Sequence, residues 1–272
     1  MTLKTTGLSL LKVIGKVGAW AFETDQPIDC VAYLDWDLGC FVLELFIPLV
    51  SSQVRVAIMP SKSVPIPDDL EFDTNLFLLP GCYQNDLKSV IIPEGFVRDR
   101  VKQLAHEIHE AIGDKPLILL CVLKGSYRFF TTLADELSVA RHQCKSAIKV
   151  DFIRTKSYED TASSGKVQII GLTNQDELKG QNVLIVEDIV DSGLTMSRLV
   201  HTLQDLGAKQ VWTSVLLSKR ITRQVEVPED FVAFNIPDKF IVGYGLDYNQ
   251  HFRDLNHICV MSEQGIAKYK SS

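Results

Sequence analysis

Long apolar runs are missing from this 272-residue chain. Nothing in it reaches the roughly 18 to 20 consecutive apolar residues that a membrane-spanning helix needs. The nearest stretch, Cys40 to Val50, is short and contains Glu44. A basic surplus is missing too, since 28 Lys and Arg against 34 Asp and Glu leave a net charge of −6. That balance argues against the broad cationic face required by nucleic acid or an anionic membrane. A small anionic ligand stays open, because a local site can oppose the global sign. The six cysteines, Cys30, Cys40, Cys82, Cys121, Cys144 and Cys259, include no CxxC pair and no zinc-ligand spacing. They read as reduced thiols of a cytoplasmic protein. Residues 1 to 22 hold neither acid nor arginine. Ala19-Trp20-Ala21 looks like a signal-peptidase site, but Lys12 and Lys16 interrupt the apolar region of a secretory signal, and a mitochondrial presequence would carry arginine.

What is present is enough hydrophobic sequence, 46%, to bury a substantial core. Residues 1 to 64 form an amino-terminal extension unlike the rest, either a small strand-rich appendage or a poorly ordered segment. The proline-bearing stretch Met59 to Pro67 reads as a linker. From about residue 91 the pattern is regular. Phe96, Val101, Leu104, Ala105, Ile108 and Ile112 recur at helical spacing, and Gly113 with Pro116 ends that helix. Apolar runs at Leu117 to Leu123, Ala147 to Ile153, Val183 to Val186 and Val211 to Leu217 read as strands. Helices are expected through about Ser138 and from about Thr195 to Leu206. Strands alternating with helices predict an α/β fold, a parallel twisted sheet flanked by helices. Ligands of such sheets bind outside the carboxyl ends of the strands. After about residue 220, aromatic residues and prolines mark a small subdomain over the sheet edge.

The run NVLIVEDIVDSGLTM at 182 to 196 carries the most chemistry. An acid after a strand often only caps the next helix. Glu187 and Asp188 are adjacent, however, and cannot both cap one helix. Asp191 follows at a turn, and Ser192, Gly193 and Thr195 offer donors of the kind that hold phosphate at a helix start. Oxygen-rich clusters of this type favour magnesium shared with substrate phosphates.

That run resembles the phosphoribosyl pyrophosphate signature of type I phosphoribosyltransferases. LCVLKGSYRFF at 120 to 130, VDFIRTKSY at 150 to 158, LLSKR at 216 to 220 and IPDKFIVGYGLDYNQHFRDLNHICV at 236 to 260 narrow the resemblance to the hypoxanthine-guanine branch of that family. It covers about Leu70 to Lys270, with residues 65 to 272 as the phosphoribosyltransferase domain. About 221 to 272 would form most of a hood, with help from about 65 to 90.

The resemblance implies purine salvage: transfer of 5-phosphoribosyl from phosphoribosyl pyrophosphate to hypoxanthine or guanine, giving IMP or GMP and pyrophosphate. Glu187 and Asp188 would hold the ribose hydroxyls and Mg2+. Asp191, Ser192, Gly193, Leu194 and Thr195 would wrap the 5-phosphate, and Asp191 would take the purine proton. Lys124, Gly125, Ser157, Tyr158 and Arg253 would meet pyrophosphate, with Arg154 to Lys166 as a covering loop. Lys219, Phe240, Ile241 and Asp247 would form the purine site, Lys219 donating to the 6-oxo group and Phe240 stacking on the base. Asp247 would also hold a second magnesium. The family implies a homodimer or homotetramer.

Taken alone, a Lys-Gly turn is solvated surface, a strand-end lysine is a solvated end and a phenylalanine is core. Leu194 stands where some members carry lysine, and Ser126 replaces a glycine seen in some relatives. Two other classes share parts of this pattern. A weakly active or inactive nucleotide-binding paralogue with a regulatory role would keep the pocket, but Asp191 is retained here. A receiver-type phosphorylation domain fits the sheet but not the phosphate loop or Lys219.

Overall fold

The computed structural model describes residues 63–156, 168–171, 175–223, 225 and 227–270, and, within residues 11–45, four strands. The chain divides into two compact units at Ala57 and Ile58. In the first unit, β1 (Leu11–Ile14), β2 (Gly18–Phe22), β3 (Cys30–Asp35) and β4 (Cys40–Leu45) pair antiparallel in sequence order.

The second unit opens with β5 (Val64–Pro65), β6 (Leu87–Ile92) and α1 (Glu94–Ile112). It continues through β7 (Leu117–Val122), α2 (Tyr127–Ala140), β8 (Ile148–Lys156), β9 (Gln168–Ile170), β10 (Asn182–Val190) and α3 (Leu194–Asp205). It closes with β11 (Gln210–Lys219), β12 (Phe231–Ile236), β13 (Ile241–Val242), β14 (Ile258–Met261) and α4 (Glu263–Lys268). The large sheet runs β5-β12-β11-β10-β7-β8-β9, parallel throughout except for the antiparallel β8–β9 pair.

Strands covered on both faces should be apolar without alternation, and every residue of β7 is buried. Leu117, Leu119 and Cys121 enter one core with α1 and α2, whereas Ile118, Leu120 and Val122 enter another with α3. The central strands finish level, Val190 opposite Ser218 and Ser218 opposite Asn235. Their following residues therefore share one rim.

Four expectations change. Strand β10 continues through Glu187 and Asp188 to Val190, because β11 runs on beside it to Lys219. The acidic pair lies inside the strand rather than after it. Phe231–Ile236, read with the small subdomain, is a strand of the large sheet. Val64 and Pro65, read as linker, are its edge strand, where a residue without an N–H is tolerated. Phe96 is 42% exposed, with its ring edge-on to Phe234.

A second sheet, β13-β14-β6, is antiparallel and has its own core around Val90, Phe252, Leu255 and Met261. It is tied to α1 by an unusual cap. Pro93 at the start of α1 offers no side-chain acceptor, and the Glu94 amide instead donates to Nδ1 of His257 at 3.0 Å.

Candidate active site

The rim of the large sheet collects residues from four strand ends. After β7 the Leu123-Lys124 peptide is cis, and Gly125 lies against the Asp188 carboxylate. A Cβ on Gly125 would fall 1.7 Å from Oδ2 of Asp188, so only glycine leaves that carboxylate in place. Ser126, fully buried, accepts from the Asp188 amide at 3.1 Å, and its hydroxyl reaches Oε1 of Glu187 at 3.1 Å and the Val122 carbonyl at 2.6 Å. Sequence reading treated Ser126 only as a departure. In the fold it fastens the turn after β7 to the acidic pair.

Burial, and then the charge of Asp188, push the Glu187 carboxyl well above its ordinary value. Burial also raises Asp188, against hydrogen bonds from Glu187 and the Ile189 amide and, less, the Arg253 charge. Neighbouring half-buried carboxylates resist ionising together unless a cation joins them. Among the described residues no group of three His, Cys, Asp or Glu is placed to hold a metal. Magnesium is commonly held by one or two carboxylates, completed by water and phosphate oxygens, so the pair fits it.

Beyond β10 the chain turns at Gly193, whose φ of 80° is the left-handed conformation glycine tolerates. A side chain there would also strike Val227. Leu194 begins α3, and the first amides of a helix lack partners within it. Asp191, Ser192, Gly193 and Thr195 line a cavity of about 130 Å³ with Glu187 and Met196. Leu194, the first residue of that helix, is exposed and does not line the cavity.

At the end of β11, Lys219 donates to Oδ2 of Asp191 at 3.2 Å and Oδ1 of Asp238 at 3.0 Å. Desolvation works against its charge, but the bonds to Asp238 and Asp191 outweigh it and raise its pKa. The Phe240 ring is 45% exposed and edge-on to Tyr248. The Ile241 side chain is buried, and its backbone lies in β13 opposite Val260. Asp247 is engaged on both oxygens, by Arg253 at 2.6 Å and the Gln250 amide at 2.8 Å. Lys124 donates to Gln250 at 2.8 Å. Ser157 and Tyr158 lie outside the described residues.

Arg223 gave no sequence signal. Its guanidinium reaches the carbonyls of Asp191 (3.0 Å), Val190 (3.4 Å) and Lys219 (3.3 Å), the Ser218 hydroxyl (2.9 Å) and Glu229 (3.0 Å). It thus fastens the end of β10 to the end of β11. Most of these partners are backbone atoms, which no residue pattern advertises.

The profile of the phosphoribosyl transferase domain matches residues 96–249. The hypoxanthine-guanine phosphoribosyltransferases of Rattus norvegicus and Homo sapiens are 47% and 46% identical to this chain over 214 residues, 78% of it and 98% of each of them. The crystal structure of the Schistosoma mansoni enzyme in complex with IMP superposes with a TM-score of 0.64 at 34% identity, covering 77% of this chain and all of that one. With these similarities spanning nearly the full length of its relatives, the chain belongs to the hypoxanthine-guanine phosphoribosyltransferase family.

Proposed function

We propose that the chain performs purine salvage, transferring 5-phosphoribosyl from phosphoribosyl pyrophosphate to hypoxanthine or guanine with release of pyrophosphate. The observation that carries this reading is the meeting, on one rim, of the Glu187 and Asp188 pair, the Asp191 to Thr195 turn and Lys219. Phosphate, sugar and base therefore have adjacent places.

Asp191 to Thr195 hold the 5-phosphate through the amides and hydroxyls at the start of α3. Glu187 and Asp188 take the ribose hydroxyls and share Mg2+, which when bound neutralises charge on the substrate's phosphates. Gly125 and Lys124 face the leaving pyrophosphate. As N9 of the purine bonds to the ribose carbon and pyrophosphate departs with its electron pair, Asp191 accepts the purine proton. Lys219 donates to the 6-oxo group, a bond that the amino group of adenine cannot accept. Phe240 covers the base, and Ile241 offers it main-chain groups. Arg253 would meet the pyrophosphate, and Asp247 would hold a second magnesium.

We place the enzyme in the cytoplasm and read it as a homodimer or homotetramer. No helix among the described residues is long and apolar enough to cross a membrane.

The test is an assay of phosphoribosyl pyrophosphate with hypoxanthine, guanine, xanthine and adenine, with and without magnesium. IMP and GMP should form only with magnesium, and adenine should be inert. Absence of product from every base would leave the weakly active paralogue as the better reading.

A further inference from the structure

Lys219 is held by two carboxylates, and the proposed chemistry accounts for only one. Asp238 lies in the stretch that ends at Phe240, and this stretch is fixed at several points. The Lys239 amide donates to the Pro237 carbonyl at 2.8 Å, its ammonium pairs with Glu71 at 2.9 Å, and the Phe240 carbonyl accepts from Met261 at 3.1 Å. Glu71 is held in turn by Lys88. Asp238 therefore stands at a set distance from the Lys219 ammonium, on the segment that also presents the Phe240 ring.

An ammonium has three N–H donors. Asp191 and Asp238 take two, leaving one for an acceptor in the purine site. The Lys219 side chain is 13% exposed, whereas those of Asp191 and Asp238 are 58% and 66% exposed. In the open site water screens both pairs. A base laid against Phe240 would displace that water and make each pair matter more.

We propose that Asp238 is a positioning residue for base recognition, holding the Lys219 ammonium aimed and charge-balanced while Asp191 is neutralised by the purine proton. The inference rests on the reading of Asp191 and Lys219 given above. Before transfer, the three groups carry one positive and two negative charges. When the proton moves from the purine to an Asp191 oxygen, Asp191 becomes neutral and its hold on Lys219 weakens. Asp238 then supplies the remaining counter-charge. The charged groups facing this cluster are Asp191 from the end of β10, Asp238, and Arg223, which bonds the Lys219 carbonyl.

The experiment measures binding of inosine 5′-monophosphate and of purine riboside 5′-monophosphate, which has no 6-oxygen, to the full chain and its variants. Asp238→Asn should weaken the inosine nucleotide about fivefold, the scale of a shared charge-assisted hydrogen bond. It should leave the purine riboside nucleotide unchanged, and Asp238→Glu should restore binding. In a Lys219→Ala background, Asp238→Asn should have no further effect. Equal weakening of both nucleotides would reduce Asp238 to shaping the loop and overturn the proposal, as would no weakening of either. If Lys219→Ala weakens the inosine nucleotide but Asp238→Asn does not, this inference fails and the reading of Lys219 stands. If Lys219→Ala has no effect, both fall.

Discussion

Gly125 shows how a common dipeptide hides a strict requirement. Lys-Gly turns are frequent on protein surfaces, and the sequence cannot tell that a neighbouring carboxylate occupies the space where a Cβ would go. Gly125→Ala should leave the fold intact but displace Asp188, lowering kcat/KM by about a hundredfold, the cost of misplacing a site group by an ångström. Circular dichroism and steady-state kinetics check both halves, and near-normal turnover would show that Asp188 can move without penalty. Asp191→Asn should keep affinity for phosphoribosyl pyrophosphate while slowing single-turnover transfer about a hundredfold or more, the scale of a lost general base. Unchanged single-turnover rates would remove Asp191 from that role. The acids, Lys219 and Phe240 stand out in the sequence because they fall in segments that resemble the family's. Ser126 and Arg223 do not, since one is a buried hydroxyl and the other acts on carbonyls.

The rim depends on two strand ends staying level, and at the scale of elements this is the work of Arg223. The Arg223 contacts hold the Asp191 turn at a constant distance from Lys219. Replacing Arg223 with Met should orphan those acceptors and Glu229, costing about 2 kcal/mol of stability. It should also raise KM for both substrates, because the phosphate turn and the base lysine move apart. Arg223→Lys should recover stability better than KM, since an ammonium lacks the planar fork. A Met variant with unaltered stability and KM would contradict this. Strand β12 was misread for a related reason. Its phenylalanines and flanking prolines suggested a cover, yet Phe231, Ala233 and Phe234 pack inside the main core. Apolar character signals burial but not which layer does the burying. The helices and central strands were legible because both-face burial leaves an unbroken apolar run, as in β7.

Across the whole molecule, every described site residue lies in the second unit, beyond Ala57. A chain of residues 58–272 should therefore retain transfer activity within about threefold, as expected of a domain with its own core. A folded but inactive fragment would assign the first unit a part in the site. The second unit carries an acid-sensitive joint at His257. Desolvation lowers the pKa of this histidine from 6.5, although the nearby Glu94 charge pulls it up. Only the neutral ring can accept from the Glu94 amide. With the folded value below the unfolded one, its contribution is present above about pH 6.5 and lost as pH falls through the folded value. Thermal melts from about pH 7.5 down to about 5.5 should fall more steeply for the native chain than for His257→Asn, which keeps an acceptor but does not titrate. Parallel slopes would rule this joint out as an acid sensor. The strand order of the large sheet has one more consequence, for a chain that is still being made. β10 brings Glu187 and Asp188, and the turn after it Asp191, out of the ribosome before Lys219, Arg223 or Arg253 exists. The acidic end of the central strand is therefore born without its basic partners.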